Sequence, residues 1–221
     1  KLLFYFKMIP ALITEGNHQQ ATQAIDKALS ITNAKSHNYS AVLMYQAIAG
    51  HWSDDDNMIQ SAMVQWQSSY VFDNSTEQWH ILQGFQLLRQ RLQGQQLKKV
   101  RIQKFLNQIR IYQRDKAGNN INLLILQLSH LLLNGDQDRY YAVADTIDNY
   151  LSRYLRGAQD QRPRTFLKML AKVPAGYFKA TNIAYKTKHL RKQLDRLPVR
   201  NVEVEIVPFG KLWNELMAQL Q

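Results

Sequence analysis

Lysine and arginine at helical spacing are the residues with the clearest chemical potential in this chain. After Pro163, Arg164, Lys168 and Lys172 fall at i, i+4 and i+8, one stripe along a helix beside an apolar face of Phe166, Leu167, Leu170 and Val173. In the next periodic stretch Lys188, Arg191, Lys192 and Arg196 lie broadly opposite Ile183, Leu190, Leu194 and Leu197. Cations arrayed this way either form a solvated face that keeps a protein soluble or attract carboxylates or phosphates. Glu203 and Glu205 are a second constellation, two carboxylates two residues apart that share a face if the backbone is extended. Nothing near them supplies a nucleophile or a reason for a raised pKa, so a salt-bridged edge is the simpler expectation.

Other chemistries lack their parts. The chain has no cysteine, which removes thiol catalysis, disulfides and cysteine-based zinc sites. Neighbouring glycines never come close enough for a phosphate-cradling loop or a nucleophile elbow. His18, His37, His51, His80, His130 and His189 include no His-x-x-x-His pair, so neither metal nor other cofactor is expected. Asp54, Asp55 and Asp56 miss the calcium-loop pattern because Met58 takes the third ligand position; acidic residues at a helix start explain them and Asp136 and Asp138. Trp52, Trp66, Trp79 and Trp213 fall at spacings expected of packing.

The 221 residues carry a formal charge of +11, concentrated in one region. Residues 1–150 hold 14 basic and 12 acidic side chains, 151–200 hold 13 and 2, and 201–221 hold 1 and 3. The richest apolar stretch, Ile121 to Leu133, is broken by Asn122, Gln127, Ser129 and His130, so no membrane span is expected. Lys7 interrupts the apolar start too early for a secretory signal. An apolar helix starting at residue 2 without an initiator Met suggests that an upstream region has been cut away.

Glycine placement organises the rest. Gly16, Gly50, Gly94, Gly135 and Gly176 mark breaks spaced by 34, 44, 41 and 41 residues. Polar breaks at 33–37, 72–75, 116–120 and 157–163 interleave with them, as antiparallel helix pairs require. Between breaks, apolar residues recur at three and four: Ala21, Ala24, Ile25, Ala28 and Leu29 in the second helix; Leu97, Val100, Phe105, Ile109 and Tyr112 in the sixth. Asn17 and Ser75 are capping types, and Pro163 suits a first helical turn. The pattern predicts ten main helices in five hairpins. Val202, Val204 and Ile206 then alternate with Glu203 and Glu205 between Pro198 and Pro208, predicting a short strand over 202–207 whose partner lies in an upstream region or another chain, the alternative being an extended connector packed on the last hairpin. Leu212, Trp213, Leu216, Met217 and Leu220 predict a final helix.

With Gly16, His18, Ala21, Ile25, Ala28 and Leu29, and Tyr5, Met8, Ile9 and Leu12 before them, residues 1–33 resemble a tetratricopeptide (TPR) unit, although Ile9 stands where a small residue is usual. Later spacings are nearer to HEAT-like arrays. The tail is similar to the ends of uncharacterised bacterial helical proteins. The resemblance implies an all-α, right-handed stack of about five antiparallel hairpins (TPR/HEAT-like solenoid) that presents a groove to protein segments. In this reading 1–156 form the repeat region, and 157–221 add the basic hairpin, the strand and the terminal helix to the same stack. The expected function is a non-enzymatic protein–protein interaction scaffold, cytoplasmic, forming the C-terminal module of a longer protein. Its partner is another protein or the upstream region. The alternative is binding of nucleic acid or an acidic ligand through residues 162–200.

Overall fold

Apolar residues at three and four spacing dictate helices, and helices dominate the computed structural model, which describes residues 1–69, 73–95 and 119–220. More than two-thirds of the described residues are helical, and none of them forms a β-strand. The sixth helix read from Leu97 to Tyr112 lies outside the described residues. The chain divides into two units, Lys1–Leu87 with Asn201–Pro208, and Leu88–Arg200 with Phe209–Gln221. Residue 157, taken from the sequence as the start of a C-terminal region, falls inside the second.

Unit 1 holds α1 (Leu2–Thr14), α2 (His18–Ser30), α3 (His37–Ser53), α4 (Asp56–Ser68) and most of α5 (Asp73–Leu92). α1, α2 and α3 each pack on the next helix, and α1 also touches α3. The apolar face of α2 is largely alanine, and Ala21, Ala24 and Ala28 are buried with Ile25 against Ile9 and Ile13 of α1 and the Val42 to Ile48 stretch of α3 as the local core. Unit 2 holds α6 (Asn119–Leu133), α7 (Gln137–Tyr154), α8 (Gln161–Ala171), α9 (Ala180–Arg196) and α10 (Phe209–Ala218). Again neighbours in sequence pack together, α6 also touches α8, and α10 docks on α9 and α6.

Three turns share one chemistry. Gly16, Gly94 and Gly135 have φ of +75°, +78° and +67°. In each the glycine N–H donates to the carbonyl three residues back, and the following N–H reaches five residues back: Asn17 to Leu12, Gln95 to Gln90, Asp136 to Leu131. Such a left-handed closure satisfies the last helical carbonyls, and glycine adopts it without a Cβ clash. Gly50, which the sequence places near a break, lies inside α3, four residues before the turn. The left-handed residue there is Asp54 (φ 61°), and the Asp55 N–H donates to the Gly50 carbonyl. A Cβ on Gly50 would sit 2.6 Å from Ile59 Cγ1 and 2.9 Å from the Asp55 carbonyl, so this glycine permits α4 to approach α3. The two kinds of glycine predict different losses. Gly16→Ala should cost about 1–2 kcal/mol through backbone strain alone, because a Cβ there meets nothing within 4 Å. Gly50→Ala should cost about 1–3 kcal/mol through overpacking, and should cost less in an Ile59→Ala background, where the nearest clashing side-chain atom is gone. Urea midpoints of the single and double variants check both expectations.

Helix starts follow the acidic-cap reading at two places. Asp55 accepts from the Met58 N–H at 3.0 Å and Asp136 from the Arg139 N–H at 3.3 Å, and Ser36 caps α3 through Tyr39 N–H at 3.2 Å. Asn17 occupies the N-cap position of α2 without a side-chain cap bond, and Ser75 lies inside α5 rather than before it.

The strand expected over 202–207 is not formed. Asn201 winds the segment instead: its side-chain oxygen accepts the Glu203 N–H at 2.8 Å and its carbonyl accepts the Glu205 N–H at 3.1 Å. Val202, Glu205, Ile206 and Val207 are all buried, which is not the every-second-residue pattern of a half-buried strand. Side chains of α3 meet the polar needs of the turn. The Trp52 indole donates to the Glu205 carbonyl at 3.0 Å, and the Tyr45 hydroxyl donates to Glu203 Oε1 at 2.7 Å. Burial, reinforced by the Glu203 carboxylate, pushes the Tyr45 phenol well above its ordinary value. With the backbone wound and held from within the chain, Val202, Glu203, Val204, Glu205 and Ile206 do not form a strand.

Candidate anionic-partner interface

The basic segment contributes α8 and α9, each with one buried side. On α8, Phe166, Leu167, Met169 and Leu170 are fully buried; on α9, Ile183, Thr187 and Leu194 are buried. The cations facing away from these cores divide into two groups by what they touch.

One group is tied into the fold. Arg162 donates to the carbonyls of Leu194 and Leu197, both at 2.6 Å, adding a side-chain donor at the end of α9, where the Leu194 carbonyl also takes the Leu197 N–H at 3.2 Å. Arg164 donates to the Leu155 carbonyl at 3.1 Å, the corresponding service at the end of α7. Arg191 donates to the Gly210 carbonyl at 2.8 Å, joining α9 to the first turn of α10, and pairs with Asp195 at 3.3 Å. A guanidinium offers several donors in a fixed fork, and positive charge at a helix C-terminus complements the dipole. Arg164 and Arg191, two of the seven cations selected from the sequence, are thereby largely consumed as structure. Arg162 was not selected, and its capping role has no signature in sequence spacing.

The other group is free to face a partner. Lys172, the C-cap of α8, is exposed and Lys168 on α8 partly so. On α9, Lys188, Lys192 and Arg196 are exposed at successive turns, and among the described residues no ion pair or hydrogen bond engages their side chains. Tyr185, 79% exposed, and His189, also exposed, stand on the same side of the helix. The α9 stripe is therefore the continuous one, about 12 Å from Lys188 to Arg196 along the axis.

A second polar cluster, at the end of α6, has a structural use. Arg91 donates to the Leu133 carbonyl at 2.7 Å and lies 3.2 Å from His130 Nδ1. Arginine only donates, so Nδ1 must accept and the imidazole proton sits on Nε2. Asn134 Nδ2 lies 2.8 Å from Nε2, and a proton on Nε2 requires the amide turned over so that its oxygen accepts. Burial first, and the Arg91 charge second, hold His130 below its ordinary value of 6.5. A base lowered by folding stabilises fully above its unfolded value, and that contribution disappears as pH falls through the folded value. Wild-type protein should lose more stability than His130→Gln on going from pH 7.5 to 5. Urea midpoints across that range, with an NMR titration of His130, check the sign.

No helix among the described residues is long and apolar enough to cross a membrane, and no three His, Asp or Glu side chains among them gather as a metal site would require. No family model, curated protein or solved structure matches the chain.

Proposed function

We propose that the chain is a non-enzymatic interaction module of TPR-like helical hairpins that binds an anionic macromolecular partner through the outward face of α9. The observation that carries this reading is the division of labour among the cations. Arginines of the segment cap helices and bridge α9 to α10, whereas Lys188, Lys192 and Arg196 stand at successive turns with no internal partner among the described residues. Folding leaves their charge available for a polyanion. The packing of neighbouring helices within each unit, and the α1–α3 and α6–α8 contacts, support a hairpin module.

Retention on a heparin resin tests the site while controlling for total charge. Lys188→Glu, Lys192→Glu and Arg196→Glu together change the net charge by as much as Lys7→Glu, Lys27→Glu and Lys35→Glu together, and the latter three lysines are exposed in unit 1. The α9 variant should elute at much lower salt than wild type and the unit 1 variant close to it. Equal losses in both would make the charge a diffuse solvated surface and remove the assignment.

A further inference from the structure

Resting on that reading, we infer that the anionic partner of α9 is a single-stranded nucleic acid, held by phosphate contacts to Lys188, Lys192 and Arg196 and by base stacking on Tyr185. Charge alone does not choose among polyanions. The choice comes from the aromatic groups placed among the charges. Tyr185 lies one turn before Lys188 and His189 on the outward face, and its 79% exposure makes it the most exposed large hydrophobic side chain among the described residues. A tyrosine left in water beside cations offers a π-face to any unstacked base, and stacking plus positive charge is how sequence-tolerant single-strand binders hold their ligand.

The turn leading into α9 adds a second ring. Tyr177 and Phe178 are consecutive non-glycine residues with φ of 55° and 56°, a left-handed geometry costing about 1–2 kcal/mol per residue and maintained only where the surroundings enforce it. Phe178 shows the enforcement: its ring packs edge-on against Tyr140 at 5.4 Å and Tyr141 at 5.6 Å. Gly176 allows it too, since a Cβ there would lie 2.5 Å from Ile183 Cγ1 and 2.8 Å from the Ile183 amide nitrogen. The outcome of this strained geometry is a Tyr177 that is 75% exposed. Both exposed rings thus belong to the segment that carries the unengaged cations.

Competing polyanions fit less well. An acidic peptide can pair with the lysines, but its carboxylates have nothing to place on the tyrosine faces. An anionic bilayer would take the charges, but Ile183 and Leu194 of α9 are buried in the protein and leave no aliphatic face to insert. In a duplex the bases are already stacked, whereas a single strand presents them.

The test is fluorescence anisotropy with a labelled 12-nucleotide oligo(U). Duplex of equal length, polyglutamate and phosphatidylserine vesicles serve as competitors. Oligo(U) should bind at low salt, with a log–log salt slope near −0.7 for each neutralised phosphate, hence roughly −2 for three. The Lys188→Glu, Lys192→Glu, Arg196→Glu variant should abolish binding. Tyr185→Ala should weaken it roughly five- to a hundredfold with the salt slope unchanged, Tyr185→Phe should restore it, and Tyr177→Ala should weaken it further. The single strand should compete better than duplex, polyglutamate or vesicles. Polyglutamate or vesicles competing as well as oligo(U), or Tyr185→Ala binding like wild type, would overturn the nucleic-acid inference while leaving the α9 interface intact. Loss of heparin selectivity for the α9 variant would instead remove the underlying reading.

Discussion

Trp79→Ala is expected to cost about 3–5 kcal/mol, the range for deleting a large buried aromatic. Trp79 is fully buried on α5. Its ring stacks on Trp66 of α4, centroids 4.8 Å apart and planes 15° apart, and its indole N–H donates to Ser40 Oγ of α3 at 2.8 Å. One side chain thus connects three helices of unit 1. Alanine removes the dispersion contacts, opens a cavity beside Trp66 and withdraws the donor from Ser40, which is itself buried. Trp79→Phe separates these terms by retaining an aromatic ring without the donor, and should lose less. Urea unfolding followed by far-UV circular dichroism measures both without depending on tryptophan emission. A loss under about 1 kcal/mol for the alanine variant would place Trp79 outside the unit 1 core, since that is the scale of one ordinary hydrogen bond.

The interplay of Trp79, Trp66 and Ser40 also marks the limit of the sequence. Spacings of three and four made the helices readable because an apolar stripe must repeat with the helical turn, so Ala21, Ala24, Ile25 and Ala28 announce α2 directly. Which helix a tryptophan reaches is a tertiary fact with no such period. Glycine was ambiguous for a related reason. It serves both where φ is positive, as at Gly16, Gly94 and Gly135, and where a Cβ would collide, as at Gly50, and composition does not distinguish the two. The alternation from Val202 to Ile206 misled because period two describes a strand only when one side is buried; here Asn201 winds the backbone, and Val202 and Glu205 are both buried. At the candidate interface, the stripes on α8 and α9 were legible as stripes. That Arg162, Arg164 and Arg191 turn back to carbonyls depends on where other helices end, while Tyr177 and Tyr185 gain their meaning from exposure.

Phe209→Ala should have an effect as large as Trp79→Ala, about 3–5 kcal/mol, in unit 2. In the sequence Phe209 falls between the strand expected over 202–207 and the apolar run that begins at Leu212. In the structure it opens α10 and is 1% exposed, its ring parallel to that of Phe166 on α8 with centroids 4.4 Å apart and planes 2° apart. Trp213, one turn along α10, approaches Phe166 edge-on at 6.5 Å. The Arg191 guanidinium holds the adjacent Gly210 carbonyl, so α10 is fixed at its first turn by a stack and a charge-assisted hydrogen bond. Phe166→Ala should cost a similar amount, and the double variant less than the sum of the two. The coupling expected for a contacting aromatic pair is about 0.5–1.5 kcal/mol beyond buried area. Hydrogen exchange adds a local readout: amides of α10 should lose protection in Phe209→Ala at denaturant concentrations where α6 to α8 retain theirs. A small loss with no coupling to Phe166 would return Phe209 to the connector role that its neighbours in sequence suggest. A large loss with strong coupling would make the stack the element that closes α10 onto α8, supporting the same end of α9 from which Lys188, Lys192 and Arg196 project.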